Sequence, residues 1–296
     1  MFAALPAALL VAQSVFSVHV ETVAVPVAVT DRQGHHVSGL TRGDFHVFED
    51  GRPRPITVFD HGDIPATLGV VVDCSQSMRP KRAALDNALA GVLSTARPAD
   101  QLFGVVFNES ALLVPQGDGA FTRDPGRLIS AVTAVPAEGR TALYDGVAMA
   151  LQHLELGRST KNALIVISDG GDNISHDTYS DVLTLARQSQ AVVYAIGLLG
   201  TPPATEEENA GLLRRLCKDT GGLAYFPRTV DETAAAARAI ARDIREQYIL
   251  GFSPAPRGDG RAYRKIKVTV SAPGERRLRV RARAGYAVPA ATGGLS

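Results

Sequence analysis

Cysteine is scarce in this 296-residue chain, neither sign of charge is in excess, and long apolar runs are missing. Each shortage closes off a class of protein. The two cysteines, Cys74 and Cys217, fall in a strand-end loop and in a helical pattern, with no CxxC and with seven scattered histidines. That spacing supports neither a zinc site nor a disulfide framework, so both thiols are expected to be buried. A formal net charge of +1 gives no electrostatic footprint for nucleic acid. Beyond the N-terminus no apolar stretch reaches the roughly 18 residues that a membrane-spanning helix needs. No GxSxG elbow surrounds Ser75, and neither GxxxxGK[ST] nor GxGxxG follows the first apolar strand, which removes the serine-hydrolase and phosphate-loop readings.

What is present is a chain with 45% hydrophobic and 21% charged residues, enough to bury a sizeable core in one large or two modest domains. Its texture changes twice. Residues 18–65 alternate apolar and polar positions (Val23, Val25, Val27, Val29; Phe45, Val47) between the turn signals DRQG and EDGRP, the pattern of half-buried antiparallel strands. Residues 66–247 interleave apolar runs (LGVVVD, FGVVFN, ALIVISD, AVVYAIGL, LAYF) with helical stretches, which predicts an α/β domain: a doubly wound, mainly parallel sheet with helices on both faces. Alternation returns over 248–288 in YILGFSP, YRKIKVTV and RRLRVRARAGYAV, with APGE as a turn, and 289–296 form a tail. Neither flank supplies enough strands to be stable alone, so the two are expected to pair as a small β-sandwich into which the α/β domain is inserted.

Local punctuation places the helices. Arg79-Pro80 opens one that runs to about Thr95. Thr205 followed by Glu206–Glu208 reads as a cap and acidic first turn, Gly221-Gly222 as a left-handed stop, and residues 231–247 as an amphipathic last helix. In RRLRVRAR, Arg277, Arg279, Arg281 and Arg283 share one face of a strand. That face is expected to be a solvated edge, positive charge guarding it against strand pairing, or else a docking surface for envelope polyanions or an acidic partner domain.

The stretch VVVDCSQSM, Val70 to Met78, ends a buried strand in a carboxylate and then sets hydroxyls at alternate positions: Asp73, Ser75, Ser77. Alternate side chains of an extended loop point the same way, so these oxygens can converge, and a hard oxygen set suits Mg²⁺ or Ca²⁺ and not zinc. Two later elements join it: GRTALYDGV puts Thr141 just before a helix, and ALIVISDGGDN ends another apolar strand in Asp169. Together these residues resemble the metal-ion-dependent adhesion site of von Willebrand factor A domains, and the flanking β segments resemble those of the bacterial "VWFA-related" subgroup.

The resemblance implies that Asp73, Ser75, Ser77 and Thr141 hold the metal, Mg²⁺ or else Mn²⁺ or Ca²⁺, with Asp169 acting through a water. It implies a Rossmann-like adhesion or protein-binding module, with a partner's Asp or Glu completing the metal, and not an enzyme. Position 76, commonly Gly in the subgroup, is Gln76 here. Two alternatives remain at this level: a metal-dependent hydrolase, for which Asp145 and Asp172 are the nearest proton acceptors although helix-start and turn roles suit them better, and an accessory subunit docking with an ATPase. Most of the subgroup is exported, and residues 1–17 are apolar and small, with Ala12-Gln13-Ser14 resembling a signal-peptidase site without a basic n-region. Mass spectrometry of native protein should therefore find an N-terminus near Ser14, in the periplasm or outside the cell. An intact Met1 in a cytosolic fraction would overturn the expectation of export.

Overall fold

Valine-rich runs without polar interruption must be covered on both faces, and this requirement organises the centre of the molecule. The computed structural model describes residues 22–288 apart from 63, 118, 201–208, 257–261 and 272–277. The expectations for residues 1–17, for the Thr205 cap, for the APGE turn, for Arg277 and for the tail lie outside the described residues.

Four strands come first: β1 (Val23–Thr30), β2 (Phe45–Glu49), β3 (Arg52–Arg54) and β4 (Ile56–Asp60). The central part follows as β5 (Ala66–Asp73), α1 (Arg82–Leu93), β6 (Gln101–Phe107), β7 (Ala111–Val114), α2 (Pro125–Thr133), α3 (Leu143–Leu154), β8 (Lys161–Ser168), α4 (Tyr179–Gln188), β9 (Val192–Gly197), α5 (Ala210–Thr220), β10 (Ala224–Tyr225) and α6 (Val230–Glu246). The chain then returns to strands: β11 (Tyr248–Phe252), β12 (Tyr263–Val270), β13 (Arg279–Ala282) and β14 (Gly285–Ala287).

The central six-stranded sheet has the order β10-β9-β8-β5-β6-β7, parallel throughout except for the antiparallel β6–β7 pair at one edge. Its strands alternate between two apolar layers. Leu68, Val70 and Val72 of β5 pack with α1, α2 and α6, while Val71 faces α3, α4 and α5. Each such fully buried aliphatic side chain contributes about 1.5–3 kcal/mol relative to exposure. Gly69 is required where the layers crowd, since a Cβ there would sit 2.4 Å from the Phe103 ring. From β5 the chain winds one way to β6 and β7 and the other way to β8, β9 and β10, so the winding reverses between β5 and β8.

Helix boundaries shift in ways that side-chain chemistry explains. Pro80 lies inside a 3-10 segment, Gln76–Lys81, and the α-helix proper starts only at Arg82. α5 begins at Ala210, where the Asn209 side chain accepts the Leu212 N–H at 2.9 Å, and it ends on Gly221 at φ 84°.

The terminal segments build two four-stranded sheets, β13-β1-β11-β4 and β14-β12-β2-β3, over one shared apolar cluster that includes Val25, Val27, Phe45, Tyr248 and Phe252. β1 lies between β11 and β13, antiparallel to both. In the second sheet the Glu49 carboxylate, 1% exposed, accepts from Tyr286 (2.5 Å) and Arg264 (3.2 Å) and pairs with Arg54 (2.5 Å), joining all four strands through one acid.

The arginine-rich segment corrects two expectations. RRLRVRARAGYAV is not one strand: its halves, β13 and β14, belong to different sheets. Nor do its arginines form a solvated face. Arg279 is exposed, but Arg281 holds both carboxylate oxygens of Asp243 on α6 at 2.5 and 2.6 Å. Arg283 is buried and donates to the carbonyls of Ser189 (2.7 Å) and Arg187 (2.9 Å) at the C-terminal end of α4, where the helix dipole favours a cation. Two of the four guanidinium groups are thus spent on tying the strand segment to the α/β layer, which removes the polyanion surface as it was conceived.

Deleting residues 248–296 takes away both neighbours of β1 and the β12 neighbour of β2. Limited proteolysis of the truncated protein should then cleave within 22–60 far faster than in the full chain; equal protection would show that the N-terminal strands do not depend on the C-terminal ones.

Candidate functional site

The reversal of winding fixes where a site can form. In an open parallel sheet, the crevice lies beyond the carboxyl ends of the strands on either side of the switch. Those strands are β5 and β8, in register with Val72 opposite Ile167, so Asp73 arrives beside Ser168 and Asp169. Asp73 is fully buried and Asp169 is 2% exposed. Each carboxylate must therefore find donors within the fold.

Asp73 accepts the Ser75 N–H at 2.9 Å on Oδ1 and the Ser168 hydroxyl at 2.7 Å on Oδ2. The hydroxyls of Ser75 and Ser77 are 3.2 Å apart, and Ser77 donates onward to Asp169 Oδ2 at 2.7 Å. Asp73, Ser75, Ser77 and Asp169 are thus strung on one hydrogen-bonded path. Gln76 takes an ordinary φ and points its side chain outward, while its N–H donates to Gly139 O at 3.0 Å, so the loop needs no left-handed backbone at this position.

Thr141 reaches the same place by backbone stitching. Glu138 N–H donates to Cys74 O (2.9 Å), fastening the loop before α3 to the β5 loop. Thr141 then exchanges bonds with Asn173: its N–H donates to Asn173 Oδ1 at 3.0 Å, and its carbonyl accepts the Asn173 N–H at 2.9 Å. Thr141 itself is buried, and among the described residues no hydrogen bond links its hydroxyl to the other four oxygen-bearing residues. Gly170, at φ 84°, lets the third loop turn: a Cβ there would meet the Asn209 carbonyl at 2.6 Å.

Three residues of this neighbourhood escape a reading of the sequence. Ser168 looks like the last residue of a strand, yet it orients Asp73. Asn173 looks like a turn residue, yet it clamps Thr141. Lys81, four residues after Ser77, reads as part of a helix start, yet its ammonium pairs with Asp169 Oδ2 at 2.9 Å. The i, i+4 spacing from Ser77 is the signal that could have found it.

Asp145 and Asp172 are occupied elsewhere. Asp172 Oδ1 accepts the Tyr144 N–H at the start of α3 (3.2 Å), and Asp145 accepts the N–H groups of His176 and Asp177, both at 2.9 Å. Cys74 is buried among the core side chains of the α1 layer, and that burial pushes its thiol up to about 11, away from the thiolate a nucleophile needs. Cys217 is likewise buried, and both thiols are free.

Residues 68–171 match the family model for the von Willebrand factor type A domain. Among solved structures, a von Willebrand factor type A protein from Catenulispora acidiphila aligns with a TM-score of 0.53 at 15% identity, over 81% of this chain and 71% of that one. Proximal thread matrix protein 1 from the mussel byssus aligns with a TM-score of 0.50 at 17% identity, over 66% of this chain and 49% of that one. At such identities the likeness is one of fold: the sheet with helices on both faces is that of a von Willebrand factor A domain. No curated protein matches the chain.

Burial lifts the Asp73 carboxyl from 3.8 to about 6, with the nearby Asp169 charge adding to the lift and hydrogen bonds from Ser75 and Ser168 opposing it. In cation-free buffer the folded state therefore keeps the Asp73 proton to higher pH than the unfolded chain does. The corresponding stability is complete below about pH 4 and is lost as pH rises through about 6, a change worth roughly 3 kcal/mol. Asp73→Asn removes that loss, so denaturant unfolding should show the variant gaining on the wild type across this window. A difference that stays level with pH would contradict the burial argument.

Proposed function

We propose that the von Willebrand factor A fold at the centre of this chain is a divalent-cation-dependent protein-binding module that works outside the cytoplasm, and that Asp73, Ser75, Ser77, Thr141 and Asp169 hold Mg²⁺, or else Mn²⁺ or Ca²⁺. The observation that carries the proposal is the chemistry of the donor set. Four of the five residues lie on one hydrogen-bonded path, joined through the Ser75 amide and the Ser75 and Ser77 hydroxyls, whose side-chain donors are all carboxylate and hydroxyl oxygens with no thiol or imidazole, and the fifth sits on a loop bonded to both neighbours. Hard oxygen donors at the mouth of a parallel sheet fit a hard cation.

When bound, the cation supplies an open coordination position to which a carboxylate of a partner protein can bind. The chain's own residues do the rest. Ser168 and the Ser75 amide hold the Asp73 carboxylate in one orientation, Ser77 couples the β5 loop to Asp169, and Asn173 fixes where Thr141 stands. Binding is favoured over hydrolysis because the two acids nearest to these loops, Asp145 and Asp172, already serve as acceptors for backbone amides, leaving them poorly placed to take a proton from water.

Mg²⁺ calorimetry, together with capture from native envelope extract in Mg²⁺ and in chelator, tests this reading. Asp73→Ala should abolish both metal binding and capture. Thr141→Ala should weaken the metal modestly and capture more, and Asp169→Asn should cost about 10- to 100-fold in metal affinity. Capture that survives both chelator and Asp73→Ala would show that recognition happens elsewhere on the molecule.

A further inference from the structure

We infer that Lys81 is a built-in cation of this site, one that satisfies Asp169 in the metal-free protein and competes with a divalent cation for it. The inference rests on the metal reading above and adds a residue that the metal-binding pattern does not contain.

Asp73 and Asp169 bring two buried carboxylates to neighbouring strand ends, and a charge taken out of water needs compensation. Asp73 obtains it from dipoles, the Ser75 amide and the Ser168 hydroxyl. Asp169 obtains it from a full charge. Its Oδ2 receives the Lys81 ammonium at 2.9 Å and the Ser77 hydroxyl at 2.7 Å, and the Lys81 side chain is only 15% exposed. The oxygen that Ser77 would share with a metal site is thus already neutralised by the chain itself.

The backbone around Lys81 makes this a choice for the side chain alone. Lys81 is the last residue of the 3-10 segment that also carries Ser77, so competitor and candidate ligand ride on one element. The next residue, Arg82, is fastened by bonds to the carbonyls of Val135 (2.8 Å) and Thr133 (2.6 Å) and to Asp86 Oδ1 (3.1 Å). Lys81 must therefore yield by rotating its four-carbon stem, while the loop stays in place. Charge then decides the direction of the effect. An ammonium in contact with Asp169 offsets part of the negative charge that attracts a divalent cation, and it repels that cation as well. Lys81 lowers the affinity of the oxygen set and keeps the metal-free fold intact.

The test is Mg²⁺ calorimetry on wild type, Lys81→Met, Lys81→Gln and Lys81→Arg, with thermal unfolding in chelator and in Mg²⁺. The neutral variants should bind Mg²⁺ about tenfold more tightly. They should also melt below wild type in chelator and recover on adding Mg²⁺, while Lys81→Arg keeps wild-type behaviour. Tighter binding by either neutral variant, or binding by one when wild type shows none, supports the inference. Wild-type binding with equal or weaker binding in the neutral variants overturns it and leaves the metal reading standing. Absence of Mg²⁺ binding in all four proteins overturns both.

Discussion

Strands β5 and β8 are nearest neighbours in a parallel sheet, and at the same end of it both run into acids, Asp73 and Asp169. Parallel pairing keeps them close, because the register that buries Val70, Val72, Ile165 and Ile167 also sets Asp73 opposite Ser168, one residue from Asp169. The surrounding loops can be understood as responses to this constraint. A serine hydroxyl and an amide turn toward Asp73, a serine and a lysine toward Asp169, and the loop before α3 is bonded to the others through Glu138, Gln76 and Asn173. Apolar packing creates the electrostatic problem, and the polar loops resolve it.

The same economy recurs where the strand segments meet the α/β layer. Asp243 on α6 would be an isolated buried acid were it not held by Arg281 from β13 and by the Tyr194 hydroxyl from β9 at 2.5 Å. Removing one member of such a buried group typically costs about 3–5 kcal/mol, because the other is left uncompensated. Arg283 shows a different solution, a guanidinium neutralised by helix-end carbonyls, and burial pushes its pKa down to about 10. Polar groups thus make the seam specific in a way that apolar contact alone would not.

Much of this was legible along the chain. The two changes of texture mark the boundaries of the central sheet, because an apolar run buried on both faces differs in pattern from an alternating strand covered on one. The cluster of Asp73, Ser75 and Ser77 could be read because its members are close in sequence, although Ser77 arrives on a 3-10 turn and not on the extended loop expected there. Ser168, Asn173 and Lys81 could not, since their roles depend on which strand ends up beside which. The split between β13 and β14 was hidden for a similar reason. RRLRVRARAGYAV alternates without a break, but Arg283 is drawn to α4, and Gly285 approaches β12 so closely that a Cβ would stand 2.3 Å from the Arg264 carbonyl. Long-range attraction turned the chain where local pattern gave no sign of it.

The position of β1 also bears on the order of events during synthesis. Val23 pairs with Phe252 and Thr30 with Arg279, so among the described strands β1 has no strand partner until more than 200 further residues have been made. The α/β domain, whose strands pair within the middle of the chain, can close earlier. Its closure brings β11, directly after α6, to the place where β1 can join it. Until then β1 is an apolar edge held open, of the kind that invites chaperones or mispairing. Contacts of such sequence separation slow folding, and a β1 that closes late leaves this part of the polypeptide extended for longer.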